Sequence, residues 1–159
     1  MARRRRLTPW PLETQVLYQT VYNEVQPIEA MLLTCLIEYT ELDNHLIFQT
    51  LFPQITKRVT CINSAASEMI LYAPEGQGAP PKWFKIARRI ERLSRAIAET
   101  LDSAEMQHKL RQHRFIEVIH DAKSILQVIR YIKAQLISVP LACRIVMTVS
   151  GFAEVVLNR

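Results

Sequence analysis

Histidine, arginine and glutamate side chains crowd one short stretch of the chain, HKLRQHRFIEVIH, which runs from residue 108 to residue 120. Three of the four histidines of the 159-residue chain lie in it. Imidazole, carboxylate and guanidinium groups at helical spacing can bind a metal ion, move a proton or contact a phosphate group. Which of these chemistries is realistic depends on the elements that position the side chains.

A metal site is the first hypothesis. His113, Glu117 and His120 lie at positions i, i+4 and i+7, so on one continuous helix they share a face. Glu-x-x-His is a spacing that di-iron helix bundles use, but those sites need inward-pointing carboxylates from several helices. Here the stripe lies opposite the predicted apolar face, so we expect no metal and no other cofactor. The alternative is a metal site formed by His113, Glu117 and His120.

A ribonuclease is the second hypothesis. Arg114 and His120 are six residues apart, and this spacing resembles the Arg-x(4–6)-His motif of HEPN-type ribonucleases. The resemblance covers two residues. It implies an all-α domain that pairs to assemble its site, with Arg114 and His120 handling the scissile phosphate and the 2′-hydroxyl of RNA.

Other catalytic motifs are absent from the sequence. It contains no Gly-x-Ser-x-Gly motif, no P-loop and no dinucleotide-binding motif. Cys35 and Cys143 lie in apolar segments, where a thiol is less reactive. We therefore expect a non-enzymatic binding or adaptor protein, with the ribonuclease as the alternative.

The predicted binding surface lies upstream, in the amphipathic segment 82–101. On a helix its basic side chains form one stripe opposite the apolar positions. This basic stripe consists of Lys82, Lys85, Arg88, Arg89, Arg92 and Arg95. Arginine predominates, and its guanidinium group forms paired hydrogen bonds with phosphate or carboxylate. We expect the stripe to bind an anionic partner, nucleic acid or an acidic protein surface, together with an N-terminal arm of Arg3, Arg4, Arg5 and Arg6.

Charge is segregated along the chain. Residues 1–6 carry a charge of +4, residues 7–56 carry six acidic and no basic side chains, and residues 57–159 carry +7, which gives the net charge of +5. Two interpretations are open. Either the acidic segment packs against the basic stripe and their fields partly cancel, or the stripe stays free for a partner.

The elements that carry these groups are predicted to be helices throughout. The chain has only three glycines and no alternating strand pattern. We predict an all-α single domain over residues 11–159, a bundle of roughly five to seven helices, after a flexible basic arm at residues 1–10. The predicted helices begin after Pro11 (with Pro27 kinking that helix or opening a second one), at Gln54, at Lys82, near Ser103 and at Pro140.

The helix predicted from Ser103 to about Val139 has a wide apolar arc that includes Arg130 and Lys133. These two cations must reach water or an acid, and the width of the arc favours an oligomer or a hetero-complex.

The sequence favours an intracellular protein of the cytoplasm or nucleus. It has three cysteines without a CxxC motif, and no apolar segment follows directly after the arginine arm. No transmembrane segment is predicted.

Overall fold

The computed structural model describes residues 11–72 and 81–138, and all regular structure in these ranges is helical. Five helices are described there, α1 (Leu12–Leu42), α2 (Leu46–Leu71), α3 (Lys82–Leu101), α4 (Ala104–Arg111) and α5 (Phe115–Ile137). The predicted all-α class is confirmed, and five helices is the low end of the predicted range. The arginine arm and the helix predicted from Pro140 lie outside the described residues.

The four long helices form a ring in which each packs against two neighbours, in the order α1, α2, α3, α5. α1 and α5 are antiparallel, because Tyr18 near the start of α1 donates its hydroxyl proton to the carbonyl oxygen of Leu136 near the end of α5. At the other end, the rings of Tyr39 and Phe115 are 5.6 Å apart. The short helix α4 connects α3 to α5 and packs on the latter.

A continuous apolar core lies at the centre of this ring. Each long helix places its aliphatic side chains on the inner face, where Ile28, Leu32, Ile55, Ile90 and Ile129 are almost completely buried. Removing this apolar surface from water is the main driving force for the fold.

The prolines inside the helices do not mark helix boundaries, so Pro27 does not open a second helix and the start predicted at Gln54 is wrong. α1 continues through Pro27, and α2 begins at Leu46 and continues through Pro53, although a helix was expected only from Gln54. A proline in a helix removes the hydrogen bond to the carbonyl four residues earlier. For Pro53 that carbonyl belongs to the exposed residue Gln49, where water can replace the lost donor. The packing of two long helices outweighs this local cost.

The single helix predicted from Ser103 to Val139 is wrong, because the chain turns between α4 and α5. His113 has a φ of 54°, in the left-handed region. The N–H of His113 donates to Leu110 (3.3 Å) and the N–H of Arg114 donates to Lys109 (2.9 Å), the bonding pattern of a Schellman motif. Glycine usually occupies this position, so the sequence carries no ordinary signal for the break.

Candidate anion-binding surface

The basic stripe lies on the outer face of α3. The inner face of this helix buries Trp83, Ile86 and Ile90, mainly against α2. The helical period then turns the basic side chains outward. All six residues of the stripe are exposed, namely Lys82, Lys85, Arg88, Arg89, Arg92 and Arg95. The arm of Arg3, Arg4, Arg5 and Arg6 lies outside the described residues, so its part in the surface stays a prediction.

Few contacts within the described part of the chain neutralise the stripe. Only Arg95 has a carboxylate partner there, with its Nη1 atom 3.4 Å from Oε1 of Glu91 one turn earlier. Arg89 donates from Nη1 to the amide oxygen of Gln135 on α5 (3.2 Å), which leaves its charge in place. The guanidinium carbon of Arg88 lies 5.8 Å from the ring centre of its neighbour on α3, Phe84. Five of the six cations therefore have no carboxylate partner among the described residues.

Two of the five glutamates of α1 pair with other helices instead. Glu24 accepts a hydrogen bond from Arg58 on α2 (3.1 Å). Glu29 lies 3.1 Å from Nε of Arg130 and 3.2 Å from Nζ of Lys133, both on α5. This confirms that the two cations in the apolar arc of α5 reach an acid. Among the described residues, the acidic segment therefore does not pair with the basic stripe.

The hydrogen bond from Lys133 holds the pKa of the Glu29 carboxyl below its ordinary value, against the opposing effect of burial, and Arg130 adds to the lowering. Glu29 is thus ionised over a wider pH range than a free glutamate. The ion pair fixes α5 on α1 and leaves α3 out of this network.

The first turn of α3 increases the positive potential of the stripe. The helix begins after Pro81 without a side-chain cap, and its first turn contains no acidic residue. Lys82 and Lys85 instead lie at the end of the helix where the backbone dipole is already positive. This arrangement works against helix stability and favours contact with an anion.

Uncharged polar groups of α5 adjoin the stripe. Gln135 contacts Arg89, and Tyr131, one turn earlier on α5, exposes 45% of its surface. A groove of about 290 Å³ separates the two helices; its lining includes Leu93 and Ala96 of α3 and Ser124 and Val128 of α5. Sequence reasoning did not include α5 in the surface, because no pattern along the chain indicates which helices become neighbours.

The three residues of the alternative metal site do not share one helix face. His113 lies in the turn before α5, where its ring is 5.1 Å from that of Phe115 and 5.4 Å from that of His45. Glu117 accepts a hydrogen bond from Nη2 of Arg114 (2.6 Å). No group of three or more possible ligands in the described ranges is arranged to hold a metal ion. The assumption of a continuous helix, on which the triad depended, is therefore wrong.

The two residues of the ribonuclease hypothesis lie at the start of α5. Arg114 immediately precedes the helix and is engaged by Glu117, while His120 is exposed one and a half turns further on. Six residues correspond to about 120° around a helix axis, so the two positions face different directions. Catalysis by Arg114 and His120 stays a prediction.

The described cysteines differ in their surroundings. Cys35 is buried in the core, and burial raises the pKa of its thiol to about 12, in agreement with the expected low reactivity. Cys61 is exposed on α2, and Cys143 lies outside the described residues.

None of the helices in residues 11–72 and 81–138 has the length and apolarity that a membrane span requires. No family model matches the chain, and no curated protein or solved structure matches it either.

Proposed function

We propose that this protein is a non-enzymatic binding module whose basic stripe contacts the phosphate groups of a nucleic acid. The observation that carries the proposal is the row of five exposed cations on α3 without a carboxylate partner among the described residues. Like charges along one helix face repel each other and do not stabilise the fold. A polyanion removes that repulsion and gains entropy by releasing its counterions.

The spacing of the cations favours a linear polyanion over an acidic protein patch. Lys82 and Arg95 are separated by about 20 Å along the helix axis, at 1.5 Å per residue. Six cations over that length give about one positive charge per 4 Å along the helix axis, an elongated array that a polyanion with a charge on every unit can follow.

The neighbouring face of α5 supports the same partner. Gln135 offers amide groups for hydrogen bonds to sugar, phosphate or base, and the exposed ring of Tyr131 offers a surface on which a base can stack. Gln135 contacts Arg89 of the stripe, and Tyr131 lies one turn earlier on the same helix. Phosphate contacts would supply most of the affinity, and these two residues would add contacts that a purely electrostatic surface lacks.

Neutralising two central arginines tests the proposal. We expect the double variant Arg88→Gln/Arg92→Gln to bind a fluorescent oligonucleotide about tenfold more weakly than the wild type at low salt, which corresponds to about 1.4 kcal/mol. The matched control Arg111→Gln/Lys123→Gln removes two exposed positive charges outside α3 and should change the affinity by less than about twofold.

Two results would contradict the proposal. One is wild-type protein that binds no oligonucleotide, and the other is an equal loss of affinity in both double variants. Preferential binding to polyglutamate would instead identify an acidic protein surface as the partner.

A further inference from the structure

The outward face of α1 carries no charge over most of its length. On the side opposite the core, Val16, Asn23, Ala30 and Ile37 recur every seven residues, and all four are exposed. Leu12 lies on the same face, and it and Val16 are each 47% exposed, while Ile37 is 55% exposed. The remaining side chains of this face are Gln19, Gln26, Pro27 and Thr34. Exposed apolar side chains therefore lie at both ends of an uncharged helix face, a surface that another helix can cover.

Internal hydrogen bonds make this face less polar than its composition indicates. The Thr34 hydroxyl donates to the carbonyl oxygen of Ala30 (2.8 Å), so its hydrogen-bonding proton is used within the helix. Gln19 and Asn23 are hydrogen-bonded to each other (2.8 Å). These bonds satisfy part of the polar groups within the helix, and the remaining amide groups of Asn23 and Gln26 would form hydrogen bonds across the interface. The glutamates of α1 lie at the flanks of this face or at its end.

We infer that the outward face of α1 pairs with the same face of a second copy of this chain, in an antiparallel arrangement. A two-fold axis near Pro27 brings Val16 of one copy beside Ile37 of the other and Asn23 beside Ala30. An uncharged face can meet itself without repulsion between like charges, which a basic or acidic face cannot do. The axis coincides with a shallow groove that surrounds Pro27.

Charge and the helix dipole determine the orientation. Glu41 and Asp43 lie at the end of α1, and both are exposed. A parallel pair would bring the acidic ends of the two copies together. An antiparallel pair separates these ends and also aligns the two helix dipoles favourably.

The size of the face indicates a weak dimer. Leu12 to Ile37 covers about 37 Å of helix, and a strip about 10 Å wide along it buries roughly 400 Å² per copy. Stable interfaces bury about 800 Å² per partner. The mass of the protein should therefore rise from one chain towards two with concentration.

Light scattering after size-exclusion chromatography tests the pairing, and this measurement does not depend on nucleic acid binding. We expect the mass to approach twice 18.4 kDa at high protein concentration. Val16→Glu and Ile37→Glu should each keep the protein monomeric, because every dimer then buries two unpaired carboxylates. The control Leu71→Glu changes an equally large exposed side chain on α2 and should leave the dimer intact. Wild type that stays monomeric at all concentrations, or a dimer that survives both α1 variants, overturns the inference.

Cysteine cross-linking tests the orientation in a background with Cys61→Ser and Cys143→Ser, where Cys35 is protected by burial. Under mild oxidation, Val16→Cys/Ile37→Cys should form a covalent dimer, and Val16→Cys alone should not. Efficient cross-linking of Val16→Cys to itself shows a parallel pair and overturns the antiparallel arrangement. Circular dichroism confirms that each variant is folded.

Discussion

His113 adopts a backbone conformation that normally belongs to glycine. Its left-handed φ of 54° costs a non-glycine residue about 1–2 kcal/mol. The ring contacts with His45 and Phe115 offset this cost, since each aromatic contact contributes about 0.5–1.5 kcal/mol. The histidine that looked like a metal ligand in the sequence is a residue of the α4–α5 turn, held by ring stacking.

Two substitutions at His113 test this turn. Both His113→Gly and His113→Ala remove the ring, so their difference isolates the backbone. We expect the glycine variant to be more stable by about 1 kcal/mol, because glycine adopts positive φ without steric cost. In a continuous helix alanine would be the more stable by about 1 kcal/mol. Urea unfolding of the two variants measures the order, and a more stable alanine variant would refute the break between α4 and α5.

At the scale of the elements, the contact between α1 and α5 includes a partly buried carboxylate that bridges two cations. Glu29 is mostly covered, with 19% of its side chain exposed, and it is paired with both Arg130 and Lys133. Its lowered pKa means that the native state favours the ionised form. The stabilisation is therefore present above the pKa of the unfolded chain and is lost as the pH falls through the lower pKa of the folded protein.

Glu29→Gln tests this linkage. At pH 7 we expect the variant to be about 1 kcal/mol less stable than the wild type, because Arg130 and Lys133 then face each other without a counter-charge. The difference should shrink as the pH is lowered below the ordinary glutamate value of 4.5, where the wild-type carboxyl also becomes neutral. The control Glu99→Gln alters an exposed carboxylate on α3 and should have little effect. A difference that stays constant between pH 7 and pH 3 would contradict the account.

The extent and the exposed face of a helix could be predicted from the sequence where its local residue pattern agrees with its packing in the fold. α3 has a clear apolar face, so the exposed positions of all six basic residues followed from helical period alone. The lengths of α1 and α2 were not predictable, because tertiary packing tolerates Pro27 and Pro53 inside them. The α4–α5 break depends on rings that lie far apart in sequence, such as His45 and Phe115, and so has no local signal.

At the scale of the whole molecule, the acidic and basic side chains that are separated along the sequence also lie on different helices. Glu24 and Glu29 of α1 pair with α2 and α5, and no described acidic side chain of α1 pairs with the cations of α3, which form an exposed row. The sequence could not decide between internal pairing and a free surface, because that choice depends on which helices become neighbours. The ring order places α3 between α2 and α5, away from the acidic helix.

The salt dependence of nucleic acid binding tests the central claim most directly. The logarithm of the binding constant should fall linearly with the logarithm of salt concentration, with a slope of about 0.9 per phosphate contacted on a duplex and about 0.7 on a single strand. Arg88→Gln/Arg92→Gln removes two contacts, so its slope should be smaller than that of the wild type by about 1.4 to 1.8. Equal slopes for the two proteins, or wild-type affinity that does not change with salt, would contradict the assignment of the α3 stripe as the phosphate-binding surface.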